Sequence, residues 1–98
     1  MDFGERLRPL RGFLDKEMRL TRIPARRKVR FVALCYLAGR FEPGARYTEK
    51  EVNALLNRWC AFRDPATLRR ELYDFRFLNR ERDGSFYWLE DPQPEWPE

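Results

Sequence analysis

The chain has 98 residues, the size of one domain with one modest hydrophobic core. Hydrophobic residues make up 43% of it and charged residues 37%, which is typical of a globular protein with a strongly charged surface and excludes a disordered chain. No apolar run is long enough to span a membrane, and the first residues lack the basic-then-apolar order of a secretory signal. We therefore expect a cytoplasmic protein that does not bind membranes.

The net charge of +4 conceals an uneven distribution along the chain. Residues 19–82 contain sixteen basic side chains against seven acidic ones, whereas residues 83–98 contain five acidic side chains and no basic one. A basic middle with an acidic tail favours polyanionic partners for the middle. The alternative is a solvated, arginine-rich surface, and charge alone does not separate the two.

Side chains suited to catalysis or metal binding are scarce. The chain has no histidine, and Cys35 and Cys60, on different predicted helices, are too few for a four-ligand zinc site. Both are predicted to be buried or half-buried thiols. A glycine-rich phosphate loop and a nucleophile elbow are also missing, so we expect a protein that is not an enzyme and uses neither metal nor cofactor.

Residues 1–18 are predicted to form a partly helical arm. Pro9 and Gly12 interrupt a stripe of apolar residues at helical spacing, so the helix should be short or broken; the stripe comprises Phe3, Leu7, Leu10 and Leu14. The stripe can pack on the core of the domain or serve as a homodimer contact. From Arg19 to Ile23, polar and apolar residues alternate up to Pro24, which predicts a short strand or an extended lead-in.

A strong helix is predicted from Pro24 onward. Its apolar residues recur at spacings of three and four and share one face, namely Val29, Val32, Ala33, Tyr36 and Leu37. Its first turns are crowded by basic residues, which the helix dipole disfavours there: Arg26, Arg27, Lys28 and Arg30. Gly39 is predicted to end the helix, and the next turn to comprise Glu42, Pro43 and Gly44.

The second helix has the clearest start signal in the chain. Thr48 is followed three residues later by Glu51, which is a capping box, and Tyr47 can pack against Val52 as a hydrophobic staple. These signals predict a helix from Glu49 to about Cys60. Its predicted inner face comprises Val52, Leu55, Leu56 and Trp59.

A third helix and a hairpin complete the predicted domain. Asp64 is a good N-cap, and Pro65 follows at the first helical position, where its missing N–H does no harm. The predicted buried stripe of this helix is Leu68, Leu72 and Phe75. Asp83 and Gly84 between two strand-like segments predict a tight hairpin turn.

This order of elements predicts a winged helix, a mainly α-helical fold with a small β-hairpin as the wing. A brief extended piece at Arg46 and Tyr47 precedes the helix-turn-helix. We assign residues 19–89 to the winged-helix domain and residues 1–18 to the arm. Residues 90–98, with three prolines and four acidic residues, form an acidic tail expected to be extended or disordered.

The winged-helix interpretation selects candidate nucleic-acid-binding residues from three places. The recognition helix enters the major groove and flanking elements contact the backbone. The third helix contributes Thr67, Arg69, Arg70 and Tyr73; the first wing strand contributes Arg80 and Arg82, on one face; the start of the first long helix contributes Arg26, Arg27, Lys28 and Arg30. The alternative is that the arginines pair with neighbouring acids or protect a strand edge.

Aromatic residues of the second wing strand invite a hypothesis of base stacking with single strands. Strand alternation predicts instead that Phe86 and Trp88 share the core face and that Tyr87 points outward. The sequence therefore favours a core role for this group.

Several motifs have the spacing of one known bacterial domain: Ile23-Pro24-Ala25-Arg26-Arg27-Lys28, Phe41-Glu42-Pro43-Gly44, Tyr47-Thr48-Glu49-Lys50-Glu51-Val52-Asn53, Ala66-Thr67-Leu68-Arg69-Arg70-Glu71-Leu72 and Asp83-Gly84 with Tyr87-Trp88. From Phe13 to Leu89 the chain resembles this domain of unknown function, which occurs as a small stand-alone protein and appended to ArsR-type transcriptional regulators. The resemblance implies a link to transcription by association only.

Three hypotheses follow from the sequence. The first is a DNA-binding transcriptional regulator that pairs as a homodimer, because one small domain reads few base pairs; the arm is one candidate for the dimer contact. The second is a protein-interaction module on a winged-helix scaffold without nucleic-acid binding. The third is an RNA-binding or single-strand-binding protein.

Overall fold

Four α-helices and one antiparallel hairpin make up the part of the chain that the computed structural model describes, residues 3–97. In chain order the elements are α1 (Phe3–Arg6), a 3-10 turn (Arg8–Leu10), α2 (Arg27–Ala38), α3 (Glu49–Trp59), α4 (Pro65–Asp74), β1 (Leu78–Arg80) and β2 (Tyr87–Leu89). The predicted class, mainly α-helical with a small hairpin, is confirmed. Within residues 3–97, no helix is long and apolar enough to cross a membrane.

The arm is a broken helix, as predicted. Gly12 adopts a φ of 88°, a left-handed conformation that suits glycine and turns the chain after the 3-10 turn. Leu10 is fully buried, and the half-buried Leu7 and Leu14 pack against the same core. The predicted stripe therefore packs on its own domain; the side chain of Phe3 lies outside the described part.

Leu20 ties the lead-in to the rest of the domain. It is fully buried, and its backbone bridges Leu14 on one side and Cys60 on the other. The bridge to Cys60 joins the lead-in to the end of α3, where Leu20 N donates to Trp59 O at 2.8 Å. The predicted extended lead-in is present as these isolated bridges.

Helix α2 is the centre of the core. Every residue from Val32 to Ala38 is buried, which exceeds the one predicted face because other elements pack around the helix on several sides. It begins at Arg27, three residues after Pro24, because Arg26 still has an extended ψ of 129°. Gly39 caps its end, as predicted.

The capping box of α3 is formed in full. Thr48 Oγ1 accepts from the Glu51 backbone N–H at 3.1 Å, and Glu51 Oε1 accepts from the Thr48 backbone N–H at 2.9 Å. Val52 and Leu56 are fully buried, and Leu55 and Trp59 are half-buried against the core. The predicted start and inner face are confirmed.

Helix α4 starts as predicted and ends earlier than its apolar stripe suggested. Asp64 caps it and Pro65 occupies its first position, while Leu68 and Leu72 are buried. Phe75, predicted to continue the buried stripe, is 38% exposed. The prediction for Phe75 is wrong because the helix ends at Asp74 and the chain turns at Arg76, which has a left-handed φ of 67°.

The hairpin is present, with a longer connection than predicted. The register pairs Leu78 with Leu89 and Arg80 with Tyr87. Only Gly84 of the predicted turn pair has a positive φ, 77°, so the two-residue turn is not formed. Because β1 ends at Arg80, Arg82 lies in the connection, and the prediction that it shares a strand face with Arg80 is wrong.

Tyr47, an isolated extended residue before α3, pairs with strand β2 of the hairpin. Tyr47 N donates to Tyr87 O at 2.8 Å and Tyr87 N donates to Tyr47 O at 2.7 Å. This pairing holds Tyr87 against the body, where it is 2% exposed, while Phe86 is 38% exposed. The predicted orientation of Phe86 and Tyr87 is therefore reversed, because alternation alone cannot say which face of a strand is covered.

The tail contains no helix or strand over residues 90–97. Its path is set by specific contacts: Gln93 Nε2 donates to Phe77 O at 2.8 Å and to Glu90 O at 2.9 Å. Trp96 is half-buried against the core. The acidic tail therefore runs along the domain up to Pro97.

Candidate nucleic-acid interface

A cleft of about 570 Å³ lies between α4 and the hairpin. It brings together five of the ten candidate residues from two separate stretches of sequence: Thr67, Arg69, Arg70, Tyr73 and Arg80. The remaining lining residues are Glu49, Ala66, Asp74 and Tyr87. We refer to this feature as the α4 cleft.

Arg70 presents a highly accessible guanidinium to the α4 cleft. Its side chain is 84% exposed, and its contact with Asp74 is long, 3.9 Å from Nε to Oδ2. An exposed pair one helical turn apart stabilises a protein by well under about 1 kcal/mol. Arg70 is therefore available to an anionic ligand at little cost.

Arg80 reaches the same cleft from β1. Its guanidinium carbon lies 4.7 Å from the centre of the Tyr73 ring, a cation–π contact between strand and helix. Interactions with the side chain of Tyr87, and to a smaller extent with that of Tyr73, raise the pKa of Arg80 above its ordinary value. These contacts orient a permanently charged group without neutralising it.

Arg69 has a different role from its neighbour. One nitrogen donates to Asn53 Oδ1, and a second lies 3.2 Å from Glu49 Oε1, so both partners belong to α3. Only 18% of the Arg69 side chain is exposed. Arg69 therefore joins α4 to α3 at the wall of the cleft, and its charge is paired with Glu49.

Arg30 also makes a contact between helices. Its guanidinium donates two hydrogen bonds to the Glu71 carboxylate, from Nε to Oε1 at 2.6 Å and from Nη2 to Oε2 at 2.7 Å. The hydrogen bond to Glu71 raises the pKa of Arg30, against a smaller opposing effect of desolvation. The pair fixes α2 against α4 and leaves Arg30 without a free charge.

The other basic residues of α2 line a second concavity, which shares no lining residue with the α4 cleft. Arg27 and Lys28 are exposed at its rim, and Phe31, Leu34 and Phe75 form apolar surface within it. Arg26 is exposed at the N-cap of α2 and lines a neighbouring depression with Phe13. The ten candidate residues are thus divided between separate surfaces.

The tip of the hairpin forms a third basic and aromatic feature. Arg82 is exposed there beside Arg46, whose guanidinium lies 4.7 Å from the Phe86 ring centre and 5.5 Å from that of Trp88. Arg46 also pairs with Glu81 at 2.6 Å. The sequence predictions missed Arg46 because the outward orientation of Phe86 was not anticipated.

Both cysteines are buried free thiols, as predicted. Burial raises the pKa of Cys35 to about 11 and that of Cys60 to about 12. In the part of the chain from residue 3 to residue 97, no three His, Cys, Asp or Glu side chains group in a way that could hold a metal ion.

The motif spacing and the domain formed by α2 to β2 agree with a family match. A model of the family described as an uncharacterized protein conserved in bacteria, DUF2087, matches residues 19–89. The chain belongs to the DUF2087 family. No curated protein and no solved structure matches it.

The DUF2087 match contains all the elements that build the α4 cleft. Helix α4, β1, Tyr87 and Glu49 lie within residues 19–89. The arm and tail lie outside the match, although Leu10 and Trp96 pack against the same core. The α4 cleft therefore lies within the part of this chain that the family model matches, and the flanking segments pack against the core of that part.

Proposed function

We propose that this DUF2087 chain is a winged-helix protein that binds double-stranded DNA, with α4 as the recognition helix and the hairpin as the wing. The observation that carries the proposal is the α4 cleft, where the exposed Arg70 and the oriented Arg80 face one opening. We propose that this DNA binding serves the regulation of transcription.

The arrangement of the chain supports the winged-helix assignment. An extended residue, Tyr47, comes before the helix pair α3 and α4 and bonds to β2 of the hairpin that follows. In a winged helix the second helix of the pair is presented by the first and flanked by the wing. The two bonds between Tyr47 and Tyr87 join the hairpin to the residue that leads into α3, which supports this assignment.

The exposed face of α4 supports the assignment of roles. Ala66, Thr67 and Arg70 lie in its first two turns, the part of a recognition helix that contacts base edges. A guanidinium at Arg70 suits a guanine edge or a phosphate, and Arg80 on the wing suits a phosphate. In this proposal Arg69 positions α4 through Asn53 and Glu49 and does not read bases.

Salt-dependent binding to three nucleic acids tests the proposal. We expect fluorescence anisotropy to show binding to duplex DNA that weakens steeply over about 50 to 200 mM salt, and weaker binding to single-stranded DNA and RNA. Arg70→Ala combined with Arg80→Ala should weaken duplex binding and reduce the salt slope by about one for each of the two arginines that contacts a phosphate.

A matched control distinguishes binding at the α4 cleft from attraction by the total positive charge of the chain. Arg8→Ala combined with Arg11→Ala removes the same charge from two exposed arginines of the arm and should leave the slope nearly unchanged. An equal decrease of the salt slope in both double variants would mean that duplex binding is nonspecific electrostatic attraction. Absence of duplex binding at the lowest salt would overturn the proposal.

A further inference from the structure

The second concavity is an apolar groove between the start of α2 and the end of α4. Its volume is about 520 Å³, and most of its lining is apolar. Phe31 and Phe75 form an edge-to-face pair with ring centres 6.1 Å apart, and Leu34 lies between the helices at the floor. We refer to this feature as the α2 groove.

The aromatic wall of the α2 groove is held firmly although it is exposed. Phe31 also packs on Phe77, with ring centres 5.2 Å apart, and Phe77 is 1% exposed. Phe75 is held at the end of α4 by the hydrogen bond from its N–H to Glu71 O at 2.9 Å. An exposed aromatic side chain on a fixed backbone is a good anchor for a partner, because little conformational entropy is lost on binding.

The rim of the α2 groove is positive. Arg27 and Lys28 are exposed, and within residues 3–97 neither forms an ion pair. Arg30 is close by, but Glu71 neutralises it. Arg27 and Lys28 therefore place two positive charges, without an acidic partner among residues 3–97, beside a mostly apolar surface.

This combination of surfaces selects a kind of ligand. A phosphate backbone would use the two charges and leave the apolar surface uncovered, whereas a purely apolar ligand would leave the charges without partners. A peptide with one large apolar side chain and carboxylates beside it satisfies both. The acidic tail of this chain has this chemistry, and its Pro97 already touches one side of the groove.

We propose that the α2 groove docks an acidic peptide segment of a protein partner. An apolar anchor of that segment packs against Phe31 and Phe75, and its carboxylates pair with Arg27 and Lys28. This surface shares no lining residue with the α4 cleft, so the inference is independent of DNA binding.

Three synthetic peptides test the ligand class with the full chain. The first is a short fluorescein-labelled peptide with glutamates around a central Trp-Leu pair; the second replaces each glutamate by glutamine; the third replaces Trp and Leu by serine. We expect the first to bind with a Kd in the range of about 10 to 100 μM and each of the others to bind at least about tenfold more weakly, because both rim charge and anchor are required.

Paired variants locate the site. Phe75→Ser should weaken the first peptide about tenfold, whereas Phe86→Ser, which alters an equally exposed aromatic residue at the hairpin tip, should not. Arg27→Gln combined with Lys28→Gln should also weaken it about tenfold, and Arg8→Gln combined with Arg11→Gln should not. Circular dichroism melts establish that each variant is folded.

Charge reversal provides a gain of binding that a folding defect cannot produce. Arg27→Glu combined with Lys28→Glu should bind a lysine version of the peptide better than the unaltered chain does. Failure of the first peptide to bind the unaltered chain, or equal binding of the glutamine peptide, would overturn the proposal. Loss of duplex DNA binding in the Arg27 and Lys28 variants, with no effect of Phe75→Ser on any ligand, would assign the rim to nucleic acid.

Discussion

At the level of single residues, the arginines divide according to what their guanidinium groups contact. Arg69 and Arg70 are adjacent in the sequence, yet Arg69 is tied to α3 and Arg70 is 84% exposed. Helical spacing explains the difference, because successive residues point about 100° apart and only one of them faces the neighbouring helix. The sequence indicated a basic helix and could not say which arginine was free, since the partners of Arg69 lie in another helix.

The cysteines allow a chemical test of the core. At pH 8 an exposed thiol with a pKa of about 8.5 is roughly one quarter ionised, whereas a pKa of about 11 for Cys35 and about 12 for Cys60 leaves almost no thiolate. Because the thiolate is the nucleophile, we expect native protein to react with a thiol reagent at least about 100-fold more slowly than protein in denaturant. The colour change of Ellman's reagent at pH 8 measures both rates.

The raised thiol pKa values also set the direction of a pH effect. Between about pH 8.5 and the folded-state values, the folded chain keeps thiol protons that the unfolded chain loses, so these groups lower the free energy of unfolding as the pH rises. Fast reaction of both thiols in native buffer would contradict the burial of Cys35 and Cys60.

At the level of elements, local signals located the starts of α3 and α4 well. Caps act through hydrogen bonds that span only three residues, as between Thr48 and Glu51, so the information is contained in the local sequence. The end of α4 was less well predicted. Phe75 continues the apolar spacing, but the chain leaves the helix there so that Phe77 can enter the core.

The capping box of α3 gives a prediction about stability. Thr48→Ala removes the acceptor for the Glu51 N–H and should lower the free energy of unfolding by about 1 kcal/mol. Thr48→Ser keeps a hydroxyl at the same place and should cost much less. Urea denaturation followed by circular dichroism measures both variants, and equal costs for the two would contradict a stabilising role of the Thr48 hydroxyl.

The hairpin shows why a strand's faces are hard to predict. Phe86, Tyr87 and Trp88 are all apolar enough to lie on either face. The alternation of side chains was therefore predictable, but the choice of the buried face was not. The buried face is decided by Tyr47, which is forty residues earlier in the chain and bonds to the backbone of Tyr87. This contact also exposed Phe86 and so created the hairpin-tip feature with Arg46.

At the level of the whole molecule, the arm and the tail belong to the core although the family match excludes them. Leu10 is fully buried, and the Tyr36 hydroxyl donates to Met18 O at 2.6 Å, which joins α2 to the end of the arm. A small domain buries a limited fraction of its surface, so each such contact is a large part of its stability. The arm is thus a structural part of this chain.

The arm makes a measurable contribution. Leu10→Ala should lower the free energy of unfolding by about 2 to 5 kcal/mol, the usual cost of a cavity at a fully buried leucine. Leu7→Ala, at a half-buried position of the same arm, should cost clearly less. Urea denaturation monitored by tryptophan fluorescence compares them. A loss below about 1 kcal/mol for Leu10→Ala would contradict a stabilising role for Leu10 in the core.

Sequence patterns alone predicted the order of the helices, the starts of α3 and α4, the hairpin, the buried thiols and the excess of basic residues in residues 19–82. These features depend on periodicity, capping and composition, which act over a few residues. The division of the candidate arginines among the α4 cleft, the α2 groove and contacts between helices could be seen only in the folded chain. That division depends on pairs such as Arg30 and Glu71, separated by 41 positions, because the availability of a charge is set by the groups that packing brings next to it.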